Sequence, residues 1–223
     1  MEDERPVSIP APALRRLPIY YRRLLQALRE GQRSVSSREL GDAAGVPDGQ
    51  VRKDLSYLAY EGRPGVGYDA QLLAGCIEEF LGLMNDKEAV LVGMGNLGRA
   101  LASYGGFERY GLHIVALFDS DPARQVRLPD GRQVFPVEKL TNLAQRLQVR
   151  MGIIAVPEAA AQAVAEALIA GGVQVIWNFA PCKLQVGSDI LVKNEDLAAE
   201  LATLSHFITQ RKLSRSASDA AGS

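Results

Sequence analysis

The segment Gly93-Met94-Gly95-Asn96-Leu97-Gly98 constrains the fold more than any other part of the sequence. It follows the apolar run Ala89-Val90-Leu91-Val92 and precedes Arg99-Ala100-Leu101-Ala102, which is typical of a helix start. In a GxGxxG turn the first glycine permits a tight bend, and the second lets backbone amides approach a pyrophosphate. The third lets the helix pack closely on the strand. The sequence therefore predicts a strand–turn–helix unit that binds a dinucleotide, with all six residues of the turn as candidate contacts.

An acidic residue follows the next predicted strand. The run from His113 to Phe118 ends in Asp119, twenty-one positions after Gly98. An acid there can accept hydrogen bonds from both ribose hydroxyls and would repel a 2′-phosphate, which favours NAD over NADP. Arg124 is close enough in sequence to leave NADP as an alternative. A glycine turn that binds no ligand is the other alternative.

Two more strand–helix patterns extend the predicted parallel sheet. Met151–Val156 precedes Pro157, and Val173–Trp177 precedes Asn178-Phe179-Ala180. Ligands of open parallel sheets bind beyond the carboxyl ends of the strands. Pro157, Asn178, Phe179 and Ala180 are therefore candidates for lining the nicotinamide end of a bound dinucleotide, although packing and turn formation would also explain them.

Two short helices joined by a tight turn are predicted before the glycine motif. Ser36 and Glu39 have the spacing of a capping box, which predicts a helix from Ser37 to Ala44. The turn at 45–47 ends it, and Asp48 is expected to cap a second helix that runs to about Ala59. This arrangement is typical of a helix-turn-helix.

The second of these helices has a polar and basic outer face. Between Pro12 and Tyr68 ten basic residues stand against six acidic ones, although the whole chain has a net charge of −1. Three glycines and a proline between Gly62 and Tyr68 predict a wing loop. The candidate DNA contacts are Ser36, Ser37, Gln50, Arg52, Lys53, Ser56, Tyr57 and Arg63. A basic helix pair that docks on another protein is the alternative.

Further helices are predicted on either side. Pro18 is expected to open a helix that ends at Gly31, and residues 69–84 form an amphipathic connector helix. The last helix runs from about Glu195 to Arg211 and packs on its own sheet or on a second subunit. Its apolar stripe consists of Leu197, Leu201, Leu204 and Ile208, with Ala198, Ala199 and Ala202 beside it.

The predicted fold class is α/β, with an N-terminal winged helix-turn-helix domain and a C-terminal Rossmann-like parallel-sheet domain. The DNA-binding domain with its connector helix is expected at 1–84 and the dinucleotide-binding domain at 85–193. A dimerising helix is expected at 194–213 and a disordered tail at 214–223. Two small domains and a helix account for nearly all 223 residues.

Several classes of protein are excluded by what the sequence lacks. No run approaches the ~18 apolar residues of a membrane-spanning helix, and the acidic N-terminus does not resemble a signal peptide. Cys76 and Cys182 lie too far apart in sequence for a CxxC metal site, so we expect no metal and a cytoplasmic location. His113 and His206 are the only histidines, and neither is expected to act as a catalytic acid or base. We therefore predict a ligand sensor with no catalytic residues.

The sequence resembles the Rex family of redox-sensing transcriptional repressors over nearly its whole length, from about Ile9 to Lys212. The matching stretches are Ser36-Ser37-x-Glu39-Leu40, Gln50-Val51-Arg52-Lys53-Asp54-Leu55-Ser56, Gly65-Val66-Gly67-Tyr68, Val92-Gly93-Met94-Gly95-Asn96-Leu97-Gly98, Phe118-Asp119 and Asn178-Phe179-Ala180-Pro181.

This resemblance implies a homodimer whose winged-helix domains bind double-stranded operator DNA with an inverted repeat. It implies NADH and NAD+ as ligands, with operator release in the NADH-bound form, and a C-terminal helix that is exchanged between subunits. The alternatives are a small NAD-dependent oxidoreductase, a CoA- or nucleotide-binding ligase-like subunit, and an interaction adaptor that binds neither DNA nor dinucleotide.

Overall fold

The structure, a computed structural model, describes residues 9–83, 85–196, 198, 199, 201, 205 and 208. These residues form two compact units, which divide between Asn85 and Asp86. Among the helices of the described ranges, none combines the length and the apolar character needed to cross a membrane. The predicted tail at 214–223 and most of the predicted helix at 194–213 lie outside the described residues.

The N-terminal unit is a winged helix. Its elements are α1 (Ala11–Arg29), β1 (Ser34–Val35), α2 (Ser37–Ala44), α3 (Asp48–Ser56), β2 (Tyr68–Asp69) and α4 (Ala70–Phe80). Strands β1 and β2 pair antiparallel, and an isolated bridge between Arg63 and Gly67 closes the loop that precedes β2. This loop is the wing that the glycines predict.

Helix α1 begins earlier than the sequence predicts, and Pro18 lies inside it rather than at its start. Pro12 occupies the first turn, where a missing N–H removes no helical hydrogen bond. A proline inside a helix costs about 3 kcal/mol. Here Leu17, Tyr20 and Leu24 are fully buried on the inner face, so tertiary packing outweighs the local cost.

The capping box at the start of α2 is confirmed. The Ser36 hydroxyl accepts a hydrogen bond from the Glu39 N–H at 3.2 Å, and the Glu39 carboxylate accepts one from the Ser36 N–H at 2.8 Å. Gly45 ends the helix with a left-handed φ of 66°. A Cβ on Gly41 would lie 2.4 Å from the Val46 carbonyl oxygen, so the tight turn into α3 requires glycine there.

The predicted cap of α3 is wrong. Pro47 occupies the N-cap position without a side-chain hydrogen bond, and Asp48 lies in the first turn, where it pairs with Arg52 at 2.9 Å. Helix α3 also ends at Ser56, three residues before the predicted end. The connector helix α4 is shorter than expected as well, and Asp69 caps it by accepting the Leu72 N–H at 2.9 Å.

The C-terminal unit has the predicted α/β architecture. Its elements are β3 (Lys87–Val92), α5 (Asn96–Ala102), β4 (Leu112–Asp119), β5 (Val134–Pro136), α6 (Leu140–Leu147), β6 (Met151–Ile154), α7 (Glu158–Ala170), β7 (Val175–Asn178) and β8 (Leu191–Asn194). The strands form a parallel sheet in the order β5-β4-β3-β6-β7-β8. This is the strand order of a dinucleotide-binding Rossmann fold, with its reversal point between β3 and β6.

Both faces of the sheet carry buried apolar side chains. One face packs on α6 and α7 through residues such as Leu140, Val164 and Leu168. The other face, which includes Leu91 and Leu117, packs on residues of α5 and the segments around it. The reversal point therefore lies between covered faces, and its open side is the edge formed by the carboxyl ends of the strands.

A helical segment follows β8. The Asp196 carboxylate accepts hydrogen bonds from the N–H groups of Ala198 and Ala199, both at 3.0 Å, which is N-cap bonding. The described residues from 198 onward have helical backbone. Leu201 and Ile208, seven positions apart, are 62% and 58% exposed. Leu197, Ala202 and Leu204, which complete the predicted apolar and alanine positions, lie outside the described residues.

Candidate functional site

The outer side of α3 is basic and exposed. Arg52, Lys53 and Ser56 all lie there. The Arg52 guanidinium contacts the Asp48 carboxylate at 2.9 Å and donates to the Ser37 hydroxyl at 3.3 Å, so it spans the gap between α3 and the start of α2. Side chains of this kind on a short exposed helix can neutralise phosphates and reach base edges in the major groove.

A groove of about 680 Å³ separates α3 from the wing. Paired hydrogen bonds between Arg63 and Gly67, at 2.8 and 2.9 Å, hold the tip of the wing in a defined shape. The predicted DNA contacts that line this groove are Ser36, Ser37, Arg52, Ser56 and Arg63. The fold thus brings five residues from three separate segments to one surface.

Two predicted DNA contacts are placed differently. Gln50 does not belong to the outer face of α3, because its amide donates inward to the Asp54 carboxylate at 2.8 Å. Tyr57 does not extend that face either, since α3 ends at Ser56 and Tyr57 is its half-buried C-cap. Both predictions rested on helical spacing and side-chain polarity, and neither of these distinguishes an outward hydrogen bond from an inward one.

Asp54 is a residue that the sequence analysis missed. It is fully buried and accepts hydrogen bonds from Arg16 Nε at 2.5 Å, Arg16 Nη2 at 2.7 Å, Tyr20 Oη at 2.7 Å and Gln50 at 2.8 Å. Burial raises the pKa of Asp54, but hydrogen bonds from Arg16, Tyr20 and Gln50 outweigh it and hold the pKa below its ordinary value. The network fixes α3 on α1. The sequence does carry one signal for the inward position of Asp54, because this residue lies three positions after Val51, which is buried on the inner face of α3.

The three glycines of the dinucleotide motif have different surroundings. Gly93 has a φ of +99°, and a Cβ on it would lie 2.4 Å from the Ala155 carbonyl oxygen. A Cβ on Gly98 would lie 1.7 Å from the Gly93 oxygen. At Gly95, whose φ is −66°, the nearest atom beyond its chain neighbours in the described residues is Arg124 Nη1, at 3.8 Å from that position. The fold itself requires glycine at 93 and 98, whereas at 95 the missing side chain leaves space for a ligand.

Asp119 stands at the carboxyl end of β4 and is only 4% exposed. One of its oxygens accepts the Met94 N–H at 2.6 Å and the other accepts the Asp121 N–H at 2.8 Å. Arg124 Nη1 lies 3.5 Å from the first oxygen. Because each carboxylate oxygen can accept a second hydrogen bond, Asp119 can hold the glycine turn against β4 and still accept a ribose hydroxyl.

A cleft of about 800 Å³ opens at the reversal point of the sheet. Its volume lies in the range of small-molecule sites. Part of its lining is apolar and is formed by the small side chains of Ala160, Ala163 and Ala167 of α7. The predicted contacts that line the cleft are Gly93, Gly95, Asn96, Leu97, Asp119 and Pro157. Across the described ranges, no three His, Cys, Asp or Glu side chains cluster as metal ligands.

The remaining predicted cofactor contacts are not part of this lining: Met94, Gly98, Asn178, Phe179 and Ala180. Asn178 is fully buried, and its amide donates to Asn194 at 2.9 Å while its oxygen accepts the Ala180 N–H at 3.0 Å. These hydrogen bonds shape the turn after β7, and a ligand contact by Asn178 stays a prediction. Phe179 packs on Trp177, with ring centroids 5.0 Å apart.

Comparison with known families divides the chain in the same way. Residues 8–56 match the family model described as "Putative DNA-binding protein N-terminus". Residues 84–182 match the model described as "CoA binding domain". The first match covers α1 to α3, and the second covers the sheet through β7 together with the glycine turn.

Curated relatives and solved structures match nearly the whole chain. The redox-sensing transcriptional repressor Rex of Chloroflexus aggregans is 42% identical over 94% of this chain and 99% of its own. That of Streptomyces coelicolor is 43% identical over 92% and 79%. A crystal structure of RSP in complex with beta-NAD+ and operator DNA matches with a TM-score of 0.86 and 32% identity, covering 94% of this chain and 97% of that one. A second, in complex with beta-NADH, matches with a TM-score of 0.83 and 32% identity, covering 93% and 98%.

Proposed function

Because the chain belongs to the Rex family of redox-sensing transcriptional repressors, we propose that it represses transcription by binding operator DNA according to the NADH/NAD+ ratio. The observation that carries this proposal is the presence of two sites in one chain. Gly95 opens onto a dinucleotide cleft, and a basic α3 stands beside a wing. The homologues are named repressors, so the protein is a regulator rather than an oxidoreductase or a ligase subunit.

Operator DNA is the partner of the N-terminal unit. One matching structure contains operator DNA, and the groove between α3 and the wing gathers cationic and hydroxyl side chains. We assign phosphate and base contacts to Ser37, Arg52, Lys53 and Ser56, with Arg63 as the contact from the wing. Ser36 and Gln50 position this surface through the hydrogen bonds that they make within the unit.

NADH and NAD+ are the ligands of the C-terminal unit, and two matching structures are complexes with beta-NAD+ and with beta-NADH. The cleft fits such a group, since the open space at Gly95 admits a pyrophosphate and Asp119 has acceptor capacity for the adenosine ribose. When bound, the nicotinamide supplies the redox signal, because its ring is positively charged when oxidised and neutral when reduced. Asn96, Leu97 and Pro157 complete the protein side of the contact.

We also propose a homodimer. The exposed Leu201 and Ile208 lie seven residues apart in a helical segment that Asp196 caps, and a partner subunit would bury such a pair. Two copies of α3 in a symmetric dimer would match an inverted-repeat operator. We also propose the cytoplasm as the place of action, because the proposed partner is operator DNA.

The two sites must be coupled reciprocally if NADH-bound protein releases DNA. If NADH and operator DNA favour different arrangements of the dimer, binding of one ligand reduces the population that binds the other. By linkage, NADH then lowers the affinity for operator, and operator lowers the affinity for NADH, by the same factor. We expect this factor to be about 5- to 150-fold, as is typical of allosteric coupling. It is measured by titrating NADH with and without saturating operator duplex, and the operator with and without saturating NADH. An NADH affinity that is indifferent to operator would refute the proposed function.

Lys53→Ala is expected to reduce the salt dependence of operator binding. If the ammonium group meets a phosphate, the slope of log K against log salt falls by about 0.9 for each subunit. The slope is measured by fluorescence anisotropy between low and moderate salt. Lys53→Arg is the matched control, because it keeps the charge and should keep the slope. An unchanged slope in the alanine variant would remove Lys53 from the phosphate contacts.

A further inference from the structure

Arg124 lies at the mouth of the dinucleotide cleft, in the short 3-10 helix Pro122–Arg124 that follows β4. Its Nη1 is 3.5 Å from the Asp119 carboxylate, and its Nε is 3.4 Å from the Asp121 carboxylate. The same Nη1 is the atom nearest to the open position at Gly95. The guanidinium is therefore held between two acids, next to the place where Asp119 can meet the adenosine ribose.

The charge of the cleft is negative in spite of this arginine. Among the described residues, the charged groups that line it are Asp119, Asp121, Glu138 and Arg124, so three carboxylates stand against one guanidinium. A 2′-phosphate carries between one and two negative charges near neutral pH, and sites that accept it usually offer an arginine. This chain has an arginine in the right place, but its charge is already shared by two carboxylates.

Asp119 and Asp121 differ in their burial and in their other hydrogen bonds. Asp119 is buried and holds the glycine turn through the Met94 N–H, so it is part of the fold. Asp121 is 45% exposed at its side chain and accepts the Ala123 N–H at 2.9 Å. Its charge is therefore the one that can be removed while the local hydrogen bonding is kept.

We propose that Asp121 determines the preference for NAD(H) over NADP(H) by engaging Arg124, which would otherwise neutralise a 2′-phosphate. This inference rests on the proposed function, because it assumes that the cleft binds a dinucleotide. It differs from the role of Asp119 as ribose acceptor, since the discriminating interaction is an ion pair within the protein. Releasing Arg124 from Asp121 then raises the affinity for the phosphorylated ligand, while the negative charge of Asp119 remains.

The test is the ratio of the dissociation constants for NADPH and NADH in the full-length protein. Asp121→Asn keeps an oxygen acceptor for the Ala123 N–H and removes the charge, so the ratio should fall roughly tenfold. Asp121→Ser is a second variant that keeps an acceptor, and it should act in the same direction.

Adding Arg124→Ala to either variant should abolish the gain in NADPH affinity, because the gain depends on the released cation. Glu138→Gln removes a charge from the same cleft, and the ion pairs of Arg124 in the described structure are with Asp119 and Asp121, so this variant should change the ratio less than Asp121→Asn does.

A failure of the proposed function and a failure of the proposed role of Asp121 would give different results. Wild-type protein that binds neither dinucleotide would refute the proposed function and this inference with it. Wild-type protein that prefers NADH, with an unchanged ratio in both folded Asp121 variants, would refute the inference alone. An equal effect of Glu138→Gln, or a gain that survives Arg124→Ala, would also overturn it, because total charge would then explain the selectivity.

Discussion

Replacement of Asp54 by alanine is expected to destabilise the N-terminal unit by about 3 kcal/mol and to abolish operator binding at moderate salt. Removing one partner of a buried ion pair typically costs 3–5 kcal/mol, because the other charge is left without compensation. We expect a cost at the lower end of this range, because the Arg16 side chain is 18% exposed and its charge can recover some hydration. Operator binding is lost because the network of Arg16, Tyr20 and Asp54 sets the position of α3 on α1.

The measurement is urea unfolding of the full-length variant, followed by far-ultraviolet circular dichroism and combined with an NADH titration. NADH binding should survive, since the cleft belongs to the other unit. Asp48→Ala is the matched control: it removes an exposed carboxylate from the same helix, and its pair with Arg52 is worth at most about 1 kcal/mol. Tyr20→Phe, which removes one donor, should cost about 1 kcal/mol. A loss for Asp54→Ala no larger than that for Asp48→Ala would contradict the prediction.

The pH dependence offers a second readout of the same network. The folded-state pKa of Asp54 lies below its ordinary value, so its carboxylate binds fewer protons in the folded state than in the unfolded state. Its contribution to stability is fully present above the unfolded pKa of about 3.9 and is lost as the pH falls through the lower folded value. The difference in stability between wild type and Asp54→Ala should therefore be constant at neutral pH and shrink below about pH 4.

Local signals predicted the parts of the fold that local bonding determines. Ser36 and Glu39 form the predicted capping box through hydrogen bonds within one turn, and the glycine motif between strand and helix predicted a parallel sheet of the Rossmann type. The contact between Arg16 and Asp54 joins positions 38 residues apart. The spacing from Val51 places Asp54 on the inner face of α3, but nothing in the sequence of α3 identifies Arg16 as its partner.

The helix start predicted at Pro18 is wrong, and the hydrogen bonds of Asn178 were not predicted, for a related reason. A proline predicts a helix start from backbone chemistry, and burial of Leu17, Tyr20 and Leu24 overrides that preference. An asparagine after a strand is consistent with a ligand contact or with a turn. Only the positions of Ala180 and Asn194, which are set by the folded sheet, show that its amide is already used. Sequence reasoning therefore located the cleft and not the hydrogen bonds that support it.

Alanine substitutions at Gly98 and Gly95, three residues apart, are expected to have opposite effects on stability. In Gly98→Ala the new Cβ would overlap the Gly93 carbonyl oxygen at 1.7 Å. Relief requires the backbone of the turn to move, because the obstructing atom is not part of a flexible side chain. Overpacking of this kind typically costs 1–3 kcal/mol and sometimes more. We expect a loss of about 3 kcal/mol or more in the C-terminal unit, together with loss of NADH binding.

In Gly95→Ala the new Cβ meets only Arg124, at an ordinary contact distance of 3.8 Å, and the φ of −66° suits alanine. Substitution at such a position stabilises a chain by about 0.4–1 kcal/mol, because the unfolded state loses conformational freedom. NADH affinity should nevertheless fall, because the new methyl group would occupy the space through which the pyrophosphate approaches the backbone. We expect a loss of roughly tenfold or more, which corresponds to about 1.4 kcal/mol in binding free energy. Urea midpoints and NADH titrations of the two variants measure both effects. Parallel losses of stability and binding in Gly95→Ala would show that this glycine serves the fold, whereas binding lost at full stability identifies it as the point where the backbone meets the ligand.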